Sequence, residues 1–155
     1  MPPFEINHLN SLKEFEGREL PPTDWLVLTE DRIQNFANAT EDRQWIHVDP
    51  QRAARESPYN GTIAHGFLTL SLLSYFSAQA IRVREGVGIR INYGLNRVRF
   101  PSPVRAGSAI RARVTLLSVT ESAAFVDIVF SVKIESQGTD KPCGIAEWLV
   151  RYYRA

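Results

Sequence analysis

Asp42 and His47 are the side chains in this sequence best suited to move a proton together, because a carboxylate and an imidazole sharing one water form an acid/base pair near neutral pH. They stand five residues apart. On a continuous helix that spacing puts them about 140° apart around the axis, so one helical face cannot present both. A loop between them can. Ala39-Thr40-Glu41-Asp42-Arg43-Gln44 is a polar interruption, and Asp49-Pro50 has the form of an N-cap followed by proline at the first helical position. His47 is therefore expected just ahead of a helix over residues 51–56, with a turn before it that lets the chain fold back. The same residues admit a plainer reading, a loop aspartate and a cap-adjacent histidine each satisfied by backbone.

A second constellation is Thr62-Ile63-Ala64-His65-Gly66-Phe67, where Gly66 stands at the threshold of an apolar helix. Free amides at a helix N-terminus suit an oxygen that gains negative charge during a reaction. Alternatively, Gly66 only permits close packing. His65 is either a second polar group that binds substrate or a histidine bonded to local carbonyls. Ser71, further into the helix, either meets substrate or returns its hydroxyl to a backbone carbonyl. Arg97, Arg99 and Arg105 bracket Phe100-Pro101-Ser102-Pro103 at the end of a strand, where they suit the phosphates of a carrier molecule or lie solvated. No Gly-x-Ser-x-Gly elbow and no phosphate loop is present, and His8, His47 and His65 form no recognised metal pattern, so no metal is expected.

The elements that must position these groups are read from periodicity. Residues 25–28 suggest a short strand, and Thr29 caps a helix with Glu30 and Asp31 in its first turn and Ile33, Phe36 and Ala37 as its apolar stripe. Ser57-Pro58-Tyr59-Asn60-Gly61 is turn-rich, and residues 63–81 form a helix that is apolar on almost every side and must be covered all round. The cover is an antiparallel sheet. Alternation is clear at Ile110, Ala112, Val114, Leu116; at Val126, Ile128, Phe130, Val132, Ile134; and at Ala146, Trp148, Val150, Tyr152. Residues 88–100 add a strand weakened by Gly94. The result is an α+β fold, one domain over residues 1–155, in which residues 1–20 are an N-terminal extension or edge segment.

Composition narrows the setting. A net charge of +1 gives no broad field for nucleic acid or anionic membrane. The single cysteine, Cys143, lies in a turn-like stretch and points to a reducing compartment, the cytoplasm. The opening residues lack the pattern of a signal peptide, and residues 63–81 carry His65, Thr69, Ser71, Ser74, Ser77 and Gln79, which argues against a membrane span.

Taken together, Ala39 to Pro50 followed by Gly61-Thr62-Ile63-Ala64-His65-Gly66 resembles the MaoC-like dehydratase family, the R-specific enoyl-CoA hydratases of hot-dog fold. The likeness continues through Phe67-Leu68-Thr69-Leu70-Ser71-Leu72 and, more loosely, through Asn92 to Pro101. It implies a sheet wrapped around a long central helix, a homodimer, and an aspartate and histidine that hold water, matching Asp42 and His47. The family's glycine amide that polarises the thioester carbonyl matches Gly66, and its serine near the pair matches Ser71. Where the family usually has asparagine-proline between the pair, Gln44-Trp45 stands here, as in the nodulation protein N-like branch. The implied activity is hydration of trans-2-enoyl thioesters, or dehydration of (3R)-hydroxyacyl thioesters. Coenzyme A or phosphopantetheine enters as part of the substrate, and no separate cofactor is expected. A hot-dog thioesterase and a non-catalytic acyl-thioester-binding protein are the rivals. Trp45, with Phe67, Leu68, Leu72 and Tyr75, is expected to shape an acyl tunnel that ends early and favours short to medium chains.

Overall fold

The computed structural model describes residues 2–155. In chain order these form β1 (Phe4–His8), a 3₁₀ helix (Leu9–Phe15), β2 (Leu26–Val27), α1 (Glu30–Thr40), α2 (Trp45–Val48), α3 (Pro50–Glu56), α4 (Gly66–Ser71), α5 (Leu73–Ala80), β3 (Ile81–Glu85), β4 (Val87–Arg99), β5 (Ala109–Glu121), β6 (Phe125–Ser136) and β7 (Gly144–Arg154).

Alternating apolar residues give β5, β6 and β7 one buried face each, and antiparallel pairing aligns those faces. Val114 lies opposite Val132, and Phe130 opposite Trp148 with ring centroids 5.8 Å apart. The sheet order is β2-β5-β6-β7-β4, and its buried face packs on Leu68, Leu72, Leu73, Phe76 and Ala80 of the central helix. This is the expected sheet curled around a helix.

Three features differ from the sequence expectation. The central helix is two segments, because Leu72, at ψ −3°, interrupts regular α-helical geometry between α4 and α5. Nor is it covered all round: Phe67, Ser71, Ser74 and Tyr75 share the face opposite the core stripe and are exposed in the single chain. The helix also stops at Ala80. Ile81 begins β3, which pairs in parallel with β1 in a separate two-stranded sheet. Within the N-terminal segment, Leu9 and Leu12 of the 3₁₀ helix are fully buried, so it contributes to the core.

β4 is an edge strand, with register shifts at Val87/Ile89, Asn92/Gly94 and Leu95/Arg97. Along it Ile89, Ile91, Tyr93 and Leu95 are all exposed. Among the described residues no helix is long and apolar enough to cross a membrane.

Candidate active site

Asp42 and His47 are positioned by two caps and one unusual backbone turn. Thr29 caps α1 by accepting from the Arg32 amide at 3.2 Å, and α1 ends at Glu41, which adopts the left-handed conformation with φ 62°. That conformation is unfavourable for a residue with a Cβ, and it turns the chain so that Asp42 leaves the helix axis. His47 then lies on the short helix α2. Asp49 accepts from the Arg52 amide at 2.9 Å and caps α3, with Pro50 at its start. The loop expected between the pair is present, and α2 is an addition that the sequence pattern did not show.

Residues 62–64 form the other wall. The Ile63 amide donates to Ile46 at 3.1 Å, and the Ala64 amide donates to Val104 at 2.8 Å, so this segment is tied both to α2 and to the chain after β4. The Ile63 carbonyl thereby meets His47 Nδ1 at 2.6 Å. A carbonyl can only accept, so Nδ1 carries the hydrogen and Nε2 is left as the basic atom. Burial holds the His47 imidazole below its ordinary value of 6.5, and the His65 ring adds to this; the Ile63 carbonyl and the Asp42 charge oppose it. The ring is therefore kept ready to accept a proton.

His65 is 2% exposed and stacks on His47, with ring centroids 3.8 Å apart and an interplanar angle of 26°. Its Nε2 donates to the Asp42 carbonyl at 2.9 Å and lies 4.0 Å from an Asp42 carboxylate oxygen. The sequence left open a substrate contact or a bond to local carbonyls; the carbonyl observed is a distant one, 23 residues away. Asp42, His47 and His65 bring ligand atoms within 4.8 Å of one another.

A pocket of about 330 Å³ opens beside His47, lined among others by Tyr59, Gly66, Thr69, Phe100 and Val104. Gly66 is the first residue of α4, where an amide has no acceptor within its own helix. The position also demands glycine on packing grounds, since an added Cβ would lie 2.8 Å from Phe100 Cδ2. The close-packing reading of Gly66 is therefore observed.

The remaining candidates fall elsewhere. Ser71 Oγ donates to the Leu68 carbonyl at 2.7 Å and borders a separate cleft with Leu70, Asn92, Leu95 and Trp148. Trp45 lies beneath the Arg52 guanidinium, 4.4 Å from the ring centroid, and is not among the residues lining the His47 pocket. Phe67 is 70% exposed, and Tyr75 46%, while Leu68 and Leu72 belong to the core, so the expected tunnel is not assembled within one chain. Arg97 and Arg99 are exposed on β4, and Arg105 donates to the Asn60 carbonyl at 2.8 Å.

Sequence reasoning missed the Ile63 carbonyl, Tyr59, Phe100 and Cys143 as parts of this site. Cys143 is buried beside the pocket, where burial pushes its thiol up to about 11. These groups come from separate segments, and no spacing links them to Asp42. Only Phe100, set between a strand and Pro101, carried a local hint of a strand end aimed at a site.

Comparison with known proteins agrees with this architecture. A family model described as "MaoC like domain" matches residues 13–137. The chain is 46% identical over 137 residues to a Mycobacterium tuberculosis protein named 3-hydroxyacyl-thioester dehydratase Z, covering 88% of this chain and 89% of that one. It is 44% identical over 135 residues to Nodulation protein N of Rhizobium leguminosarum bv. viciae, covering 86% and 83% respectively. Among solved structures, a protein from Archaeoglobus described as a monoamine oxidase regulatory protein superposes with a TM-score of 0.77 at 19% identity, covering 100% of this chain and 99% of that one.

Proposed function

The chain belongs to the MaoC-like dehydratase family, and on that premise we propose that it hydrates trans-2-enoyl thioesters to (3R)-hydroxyacyl thioesters and catalyses the reverse dehydration. The thiol is that of coenzyme A or of a carrier protein's phosphopantetheine. The observation that carries the reading is that His47 and Gly66, the first residue of α4, line one pocket, while a carboxylate oxygen of Asp42 lies within 4.8 Å of a His47 ring nitrogen.

In the hydration direction Asp42 and His47 hold one water between them. As its oxygen bonds to the β-carbon, the pair takes a proton from water and a proton is delivered to the α-carbon, so the product gains one H₂O. Negative charge develops on the thioester oxygen during this step. The Gly66 amide, at the positive end of α4, is placed to meet it.

The working unit is a homodimer in the cytoplasm. The exposed apolar row on β4, together with Phe67 and Tyr75 on the central helix, supports self-association, because an open apolar edge is otherwise a liability. Incubation with crotonyl-CoA tests the activity. Loss of the enoyl absorbance without free thiol is expected. Release of thiol would mean a thioesterase, and tight binding without turnover would mean an acyl-thioester-binding protein.

A further inference from the structure

We propose that His65 is a positioning residue that fixes Asp42 and His47 relative to each other, rather than the substrate-binding group that the sequence left open as one of its two readings. The inference rests on the proposed hydration chemistry of that pair. His65 joins the two halves of the site directly. One face of its ring stacks on His47 at 3.8 Å, and the ring packs on Phe36 with centroids 5.0 Å apart. Its edge donates through Nε2 to the Asp42 carbonyl, 23 residues away in sequence. His65 is 2% exposed, so its ring offers almost no surface for a substrate to touch.

The need for such a tie is visible next door. Glu41 holds the left-handed conformation with φ 62°, and the Asp42 side chain that follows is 52% exposed. A strained turn with a solvated side chain drifts unless something holds its backbone. The bond from His65 holds it at the carbonyl, one residue past the strained position. The stack then sets the plane of His47, whose rotation is already limited by the Ile63 carbonyl at 2.6 Å.

The geometry also assigns the tautomers. Nε2 of His65 faces a carbonyl and so carries the hydrogen, while Nδ1 is buried with no hydrogen-bond partner among the described residues. A hydrogen on Nδ1 would be a buried donor left unpaired. The two stacked rings thus carry opposite tautomers, His47 as Nδ1–H and His65 as Nε2–H.

Two substitutions separate the tie from bulk. His65→Leu removes the donor and keeps apolar volume; His65→Gln places an amide N–H near the position of Nε2. With crotonyl-CoA, His65→Leu should lower kcat by roughly tenfold to a hundredfold, the scale of a misplacement of about 1 Å, with KM within about twofold of wild type. His65→Gln should recover most of that loss. Equal kcat losses in two folded variants, or wild-type kcat in both, would overturn the proposal. If His65→Leu does not fold, His65→Asn replaces it, its amide lying one methylene short of the carbonyl; a kcat equal to that of His65→Gln then overturns the tie. Long-range ¹H–¹⁵N spectra of the histidine side chains give a reading that needs no turnover. Nε2–H at His65 and Nδ1–H at His47 are expected, and Nδ1–H at His65 overturns the inference. Failure of wild type to hydrate any enoyl thioester, with these tautomers in place, would instead remove the proposed reaction and leave the tie standing as architecture.

Discussion

Replacement of Gly66 by alanine tests whether the packing of this position and its role at the pocket are one constraint. The new Cβ would sit 2.8 Å from Phe100 Cδ2 and 3.0 Å from its Cε2 and Cγ. Carbon atoms settle at about 3.5–4.0 Å, so the ring must retreat by up to roughly 1 Å. Flipping the ring about its own axis leaves Cγ in place, so the Phe100 side chain must swing about its Cα–Cβ bond or the chain just after β4 must shift. Overpacking of this kind costs about 1–3 kcal/mol, offset by up to about 1 kcal/mol because alanine favours a helix over glycine. The expected net loss is about 1–2 kcal/mol, or roughly 2–8 °C in Tm for a chain of this size. Removing the ring should remove the cost. In a Phe100→Ala background the same Gly66→Ala change should be neutral or slightly stabilising, giving a coupling of about 1–3 kcal/mol between the two positions. Urea denaturation of wild type, both single variants and the double variant measures it. An equal cost of Gly66→Ala in both backgrounds would show that Phe100 does not dictate this glycine. The hydration assay on the same four proteins should show kcat reduced about tenfold or more wherever the amide is displaced, because the donor must match the developing oxyanion.

Other expectations concern the pair, its titration and the surfaces around it. Asp42→Asn and His47→Ala should each reduce hydration by at least about a hundredfold while the far-ultraviolet circular dichroism stays that of wild type; near-normal rates would remove the pair from the chemistry. Because burial lowers the His47 pKa from 6.5, the unfolded chain takes up this proton at a higher pH than the folded one. The stability contributed by the neutral ring is therefore fully present above 6.5 and lost as pH falls through the folded value, a slope that urea titrations across this range should show in wild type but not in His47→Gln. With Trp45 under Arg52 and away from the pocket lining, Trp45→Ala should lower stability and leave the preferred chain length unchanged across a series of enoyl-CoA substrates, contrary to the sequence expectation. Light scattering should give the mass of a dimer at micromolar concentration, and Ile91→Lys, which places a charge in the exposed apolar row of β4, should shift it toward the monomer.

What the sequence determined by itself is what local physics can write into a short stretch. The Thr29 cap, the Asp49-Pro50 helix start and the alternation that makes β5, β6 and β7 each depend on groups a few residues apart, so they were legible without coordinates. The Asp42/His47 motif was legible in the same way, as was the need for a loop between its members. Resemblance to a family then supplied roles that spacing alone left open. Tertiary structure decided which groups meet. His65 reaches the Asp42 carbonyl across 23 residues, His47 reaches the Ile63 carbonyl across 16, and Phe100 closes on Gly66 from the far end of β4. It also set Trp45 beneath the Arg52 guanidinium and away from the lining of the His47 pocket, and buried Cys143, which the local pattern presented as a turn thiol. The reason is physical: periodicity records which side chains share a face of one element, but the distance between two elements is set by how Phe76, Phe130 and their neighbours fill the core between them.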